Sequence, residues 1–439
     1  MNRRFFTHRV SCPVAIGLLV ATGLLAACQE SAPPANTGTS PASSPAADGG
    51  AKGLKIGSLL PSTGDLASVG QPMVGAVPLL VDTVNQCGGV GGAPVTLVAA
   101  DDQTDPTAGA EAMTKLAEVD RVAGVVGSFA SSVSMAAMPI AIRNKVMLVS
   151  PGSTSPEFTK RAKAGDFQGY WARTAPPDTY QAQALAKLAS ERGVKRAATV
   201  VINNDYGVGF EQEFVEAFKK LGGTVTNEAK PTRYDPKATT FETEAQSAFG
   251  DKPDAVAAVA YAETGALLLK TAYEQGLSKG VQILLTDGSK SDRFPMQVGK
   301  TSDGQFILAG AVGTIPGADG DALAEFSKIW QAKFGRPPAE YAPQAWDAAA
   351  LLVLAAEAAK SNTGDGIKSK LRDVANGPGQ EVTDVCKALE LVRKGEDINF
   401  QGASGNVDID ENGDVVGVYD VWEVQPDGKL KTVSKVNPR

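Results

Sequence analysis

The sequence predicts an α/β protein built from two doubly wound parallel sheets. Three observations carry that expectation. A short apolar run, a turn and a helical stretch recur along the chain, the pattern of parallel strands covered on both faces by helices. About 390 residues follow a low-complexity N-terminal region, more than one core organises and suited to two domains. Several apolar runs end in small polar or acidic residues, where open parallel sheets place their ligands.

The first 27 residues read as a secretory leader. Arg3, Arg4 and Arg9 precede an apolar run from Val14 to Ala27. The run falls short of the roughly 20 residues that span a bilayer. Leu25-Ala26-Ala27-Cys28 resembles the lipobox of bacterial lipoproteins, which implies that Cys28 becomes the lipid-bearing first residue of an extracytoplasmic protein. Residues 28–52 are rich in Ser, Ala, Pro and Gly and predict a disordered tether.

The body then alternates. Lys55–Leu60 reads as a strand and residues 71–86 as a helix; Val95–Ala100 is a second strand, followed by a helix over Thr107–Glu118 with Ala108, Ala112 and Leu116 on one face. Val122–Gly127 and Val146–Ser150 are further strands. A second series begins after Thr174. Asp178 is placed to cap a helix carrying Ala182, Leu185 and Leu188. Ala197–Ile202 is a strand, and residues 210–221 a helix closed by Gly222. Thr224–Glu228, Val256–Ala260 and Gln282–Thr286 complete the strands, and a hairpin is expected around Asn412-Gly413.

Composition excludes several functions. The net charge is −7, and the leader carries away three arginines, so the remainder is more acidic still and offers no nucleic-acid footprint. The single histidine, His8, lies in the leader, which removes the commonest general base and every His metal ligand. Neither enzyme activity nor a cofactor or metal is expected. Cys87 and Cys386 remain after Cys12 and Cys28 are set aside; an even pair in an oxidising compartment suggests a disulfide, two separate buried thiols being the alternative.

Three motifs resolve into turns or caps. Asp408–Gly413 matches the first half of a calcium loop, but Tyr419 stands where a bidentate Glu is required. Gly88–Gly92 lies between helix and strand, the reverse of a phosphate cradle. Asp101, Asp102 and Asp105 read as a solvated loop and a cap for the helix from Thr107. The richest site signal is Ser150–Pro156: Gly152 admits close backbone approach, Ser153 and Thr154 add hydroxyls, and a helix begins beyond Ser155. This suits a carboxylate.

Lys55-Ile56-Gly57, Pro61, Thr63-Gly64, Ala67 and Gly70 resemble the opening of the leucine/isoleucine/valine-binding proteins of ABC importers. Val125-Val126-Gly127 with Ser131-Ser132, Ser150–Thr154, Arg173-Thr174, Asn204–Gly207, Tyr341–Asp347 and Tyr419–Trp422 follow in that family's order, over about 54–432. The resemblance implies a type I periplasmic-binding fold with crossings near 174–176, 310–313 and 402–405. It assigns 53–174 plus 312–402 to one domain, which holds both Cys87 and Cys386, and 175–311 plus 403–432 to the other.

It also implies roles. Ser131, Gly152, Ser153 and Thr154 take the ligand's α-carboxylate end. Asp287 and Tyr261 take the α-ammonium, and Tyr206 lines the second face. Val69 and Phe129 stand at side-chain pocket positions, where the family has an aromatic residue and a smaller apolar one. Asp287 is one methylene shorter than the family's frequent Glu. The implied function is a lipid-anchored binder of a small neutral amino acid that delivers it to a permease, with an amide, urea or organic-acid binder, or a regulatory or sensory lipoprotein, as alternatives.

Overall fold

The computed structural model describes residues 53–436; the leader, Cys28 and the tether lie outside them. The first sheet is built as β1 (Lys55–Leu60), α1 (Ala67–Gln86), β2 (Thr96–Asp101), α2 (Pro106–Thr114), β3 (Gly124–Gly127), α3 (Ser131–Arg143), β4 (Met147–Ser150), α4 (Pro156–Lys163) and β5 (Trp171–Arg173). Its strand order is β2-β1-β3-β4-β5, every pair parallel. β3 and β4 are buried throughout, as strands covered on both faces must be. On one face Leu59, Leu116, Val125, Met138 and Leu148 share a cluster. α1 is long and apolar enough to cross a membrane, yet its Met73, Val77, Leu80 and Val84 are fully buried in the core.

The second sheet follows as α5 (Asp178–Glu191), β6 (Arg196–Ile202), α6 (Asp205–Lys220), β7 (Thr224–Val225), β8 (Thr232–Tyr234), α7 (Glu242–Phe249), β9 (Ala255–Val259), α8 (Ala262–Glu274), β10 (Gln282–Leu285), α9 (Phe294–Val298) and β11 (Val312–Pro316). The chain then forms α10 (Asp321–Phe334), α11 (Ala342–Ala359), α12 (Gly364–Ala375), β12 (Gln380–Val382), α13 (Val385–Arg393), β13 (Ile398–Gly402) and β14 (Gly405–Asn406). Here α11 packs on β3, β4 and α1 of the first sheet, while β12, β13 and β14 form a small sheet of their own. The chain finally returns to the second sheet with β15 (Tyr419–Val424) and β16 (Leu430–Val436), giving the order β16-β15-β11-β10-β9-β6-β7, with β8 also beside β6.

The alternating α/β architecture of the sequence holds, with three local corrections. β11 pairs with β10 and β15, so the second crossing comes after Pro316 rather than at 310–313. The third crossing is a long segment from Gly402 to Tyr419. The tail hairpin is β15–β16, closed near Gly428. Asn412-Gly413 instead belongs to a self-contained turn in which the Asp410 carboxylate accepts from the Asn412 and Asp414 N–H groups.

Side chains fasten the crossings. Asp347, buried on α11, accepts from Ala403 N, Ser404 N and the Ser404 hydroxyl; burial pushes its carboxyl up to about 7. Asp102 is buried rather than solvated, accepting from the Ser128 hydroxyl and Thr104 N, and burial lifts it to about 6. Asp105 caps α2 through Thr107 N and Ala108 N. Gly88, Gly89, Gly91 and Gly92 all adopt positive φ in the exit turn of α1, a conformation that costs only glycine nothing. Beside that turn Cys87 is disulfide-bonded to Cys386 on α13, with Cα atoms 5.7 Å apart.

Candidate functional site

The loops at the carboxyl ends of the two parallel strand sets meet. From the first sheet, β3 leads to Ser131 at the start of α3, and β4 leads to the loop before α4. The Ser131 hydroxyl accepts from Ser155 N at 3.2 Å, which leaves its own proton to donate. Thr154 is fully buried, and its hydroxyl has no hydrogen-bond partner among the described residues.

Gly152 and Ser153 also hold the loop itself in place. The Ser153 hydroxyl lies within hydrogen-bond distance of Ser128 O, Phe129 O and the Ser134 hydroxyl, so it buttresses the loop from behind. Gly152 N donates to the Ser150 hydroxyl at 3.2 Å. Its missing side chain is what matters, because a Cβ there would stand 2.2 Å from the Phe129 ring. Phe129 in turn packs edge-on against Tyr341, with centroids 4.7 Å apart. Val69 is buried beside a groove of about 630 Å³ that also reaches Lys290 and Glu340.

From the second sheet, β6 leads to Tyr206, β9 to Tyr261 and β10 to Asp287. Asn204 caps α6 through Tyr206 N and Gly207 N, which fixes Tyr206 in the first turn. The Tyr206 and Tyr261 rings stack with centroids 5.8 Å apart. Asp287 is buried and well supplied with donors: Tyr206 Oη at 2.8 Å and Gln181 Nε2 at 2.9 Å on one oxygen, and Tyr341 Oη at 2.7 Å on the other. Burial raises its carboxyl above the ordinary range, and these donors draw it partly back.

A second acid completes the cluster. Asp178 was expected to cap α5, but Pro177 occupies the cap position and the Asp178 carboxylate takes no part in capping. It is fully buried, and neither oxygen has a hydrogen-bond partner among the described residues. Its own N–H donates to Thr154 O at 2.8 Å, which sets it beside the loop from the first sheet. Burial and the Asp287 charge push this carboxyl well above its ordinary range. The Thr154 hydroxyl and Arg173 oppose that push, although neither makes a hydrogen bond of ordinary geometry to it. The sequence held a signal for it: Asp178 and Gln181 fall on the stripe of Ala182 and Leu185, at i, i+3, i+4 and i+7, so two polar residues sit on a buried helix face.

Contacts outside the cluster also join the two halves. Asp65, in the loop between β1 and α1, accepts from Thr264 N at 2.8 Å and from the Thr264 hydroxyl at 2.6 Å. The residue at the cap position of α8, Tyr261, makes no side-chain capping bond, so Asp65 serves as that cap from across the cleft. Ser155 Oγ donates to Asp205 O at 2.8 Å, and Lys290 pairs with Glu340. Among the described residues, no group of His, Cys, Asp and Glu is arranged to hold a metal ion.

A parallel sheet and a mainly parallel one, with β15 and β16 antiparallel at its edge, enclose a buried polar cluster at their strand ends and define a ligand-binding protein of the two-domain periplasmic type. The profile of the family described as "Receptor family ligand binding region" matches residues 73–427, and the chain belongs to that family. The resemblance to the leucine/isoleucine/valine-binding proteins read from the sequence holds. The chain is 27% identical over 364 residues to the chemotactic signal transduction system substrate-binding protein BasB of Halobacterium salinarum, covering 81% of this chain and 83% of that one. The crystal structure of the leucine binding protein LivK from Thermotoga maritima aligns with a TM-score of 0.73 and 26% identity, covering 88% of this chain and 99% of that one. A solute binding protein of an ABC transporter from R. palustris, in complex with benzoate, shares the fold at a TM-score of 0.71 and 20% identity, covering 88% of this chain and 97% of that one.

Proposed function

We propose that this protein is an extracytoplasmic, lipid-anchored solute-binding protein of an ABC importer. It takes a small neutral amino acid into the cleft and presents it to a membrane permease. The observation that carries this reading is the charge inventory of the cluster. Two buried carboxylates, Asp178 and Asp287, share the site, and Arg173, the guanidinium that acts on Asp178, is already paired with Asp414. Buried charge requires compensation, and an ammonium group compensates both acids. The hydroxyls of Ser131 and Thr154 stand ready for the carboxylate, and Phe129 and Tyr341 give the side chain an apolar wall. An organic acid without an ammonium meets two like charges here. Calorimetry with L-leucine, leucinamide and 4-methylpentanoate tests the reading: L-leucine binds most tightly, whereas tightest binding of 4-methylpentanoate overturns it. The name of BasB favours a second use of the same site, in sensing; L-leucine uptake that survives deletion of the gene would favour that use over transport.

Cleft closure is hinged at the three crossings near 174–177, 317–320 and 403–418. Asp65 then acts only in the closed form, because its capping partner belongs to the other half. Losing an N-cap costs about 0.5–2 kcal/mol, so Asp65→Ala should speed L-leucine release by about 2- to 30-fold and leave association unchanged. Stopped-flow fluorescence checks both rates.

The anchor rests on the sequence Leu25–Cys28. Cys28→Ser is expected to release the protein from the membrane fraction; a variant that still sediments with membranes would refute the anchor.

A further inference from the structure

We propose that Arg173 is a positioning residue that ties the ligand loop to the hinge. The inference rests on the reading of Thr154 as a ligand contact. Arg173 ends β5, immediately before the first crossing, and is fully buried. Its Nη1 donates to Ser153 O at 2.9 Å and Ser155 O at 3.1 Å, the carbonyls on either side of Thr154. Its Nε donates to Asp414 Oδ1 at 2.8 Å, and its Nη2 lies 2.7 Å from the same oxygen and donates to the Thr159 hydroxyl at 2.8 Å. That hydroxyl donates on to Asp414 Oδ2 at 2.6 Å, and the Arg173 N–H donates to Gly413 O at 2.9 Å.

One buried cation thus holds three segments in register: the ligand loop, the first turn of α4 and the third crossing. The next residue extends the link, since Thr174 N donates to Ser150 O and the Thr174 hydroxyl to Gln344 O. Arginine suits the task because its planar fork offers five fixed donors, which the point charge of lysine does not. Stability alone is a poor account of the pair, because a buried ion pair is often matched or bettered by apolar residues of similar volume. What apolar residues cannot replace is the hold on the two carbonyls that orient Thr154. Movement of the third crossing is thereby transmitted to the loop that grips the ligand.

The test separates position from stability, with L-leucine as the probe. The double variant Arg173→Met with Asp414→Leu is expected to stay folded, melting somewhat lower because Ser153 O and Ser155 O lose their donor, yet to bind L-leucine at least about tenfold more weakly at about 25 °C. Arg173→Lys, which keeps the charge, should not restore binding. Thr159→Val is the milder variant should the double variant fail to fold. In the ligand-free protein it should speed hydrogen exchange at the Ser153, Thr154 and Ser155 amides while leaving β4 protected. Wild-type affinity in the double or the lysine variant, or unchanged exchange at the three amides, overturns the proposal. Failure of wild-type protein to bind L-leucine counts instead against the amino-acid reading, and the exchange measurement, which needs no ligand, still decides the role of Arg173.

Discussion

Asp178→Asn and Asp287→Ala should each weaken L-leucine binding by at least about tenfold, while binding of 4-methylpentanoate is unchanged or improved. A hydrogen bond to a charged group contributes about 1.5–3 kcal/mol, which corresponds to roughly 10- to 160-fold in affinity. The two variants differ in what they leave behind. Asparagine at 178 keeps the shape and removes only the charge. Alanine at 287 also strips an acceptor from Tyr206, Tyr341 and Gln181, so it is expected to cost stability as well. The des-amino acid is relieved of a like charge in both. The pH dependence has a definite sign. Burial raises both carboxyls above the ordinary aspartate value, so they take up protons at a higher pH than exposed acids do. An ammonium favours their ionised forms, so L-leucine affinity should fall as the pH is lowered through that raised range, and binding should release protons. Calorimetry in buffers of different ionisation enthalpy reads the release directly. Equal losses for both ligands, or proton uptake on binding, would sink the two-acid account.

Loss of the Cys87–Cys386 disulfide is the second large effect expected. The bridge closes a segment with a sequence separation of 299 residues, and cross-links over long loops restrict the unfolded chain most. Removing such a bridge typically costs about 2–4 kcal/mol. For a folded body of this size each kcal/mol shifts the melting temperature by only about 1 °C, so Cys87→Ala with Cys386→Ala should melt about 2–5 °C lower. The bridge joins the end of α1 to α13, both remote from the Asp178–Asp287 cluster, so L-leucine affinity at 25 °C should change little. Thiol titration of the denatured, unreduced protein gives an independent reading: two reactive thiols would refute the bridge.

Seven strands were legible because each is a short apolar run bounded by turn residues, whereas the strand expected over Thr224–Glu228 shortens to Thr224–Val225. β1, β2, β3, β4, β6, β9 and β10 fall within a residue or two of expectation. The end of α6 was legible because Gly222, at positive φ, closes it, although the helix starts at Asp205 rather than at 210. α11 was not, because Ala342–Ala359 is buried around nearly its whole circumference between the first sheet, α1 and α12, and so lacks an amphipathic period. The resemblance implies a second crossing before β11, whereas β11 pairs with β10 and β15 of the second sheet, a pairing that only the folded chain displays.

The site divides in the same way. Ser131, Thr154, Tyr206, Tyr261 and Asp287 lie where strand ends would put them. Asp178 reads as a cap because an acid stands at a helix start, and its place on the apolar stripe with Gln181 is the one sequence signal of its burial. The direction of the Ser153 hydroxyl, toward Ser128 O, is a tertiary fact that the sequence does not carry.

The central claim is that two buried acids and two hydroxyls select a small zwitterion. Mass spectrometry of the small molecules released when the purified, undialysed protein is denatured tests it most directly. The account predicts a neutral α-amino acid at up to one equivalent, detected with and without amine derivatisation. A released organic acid or amide that carries no ammonium group would contradict it.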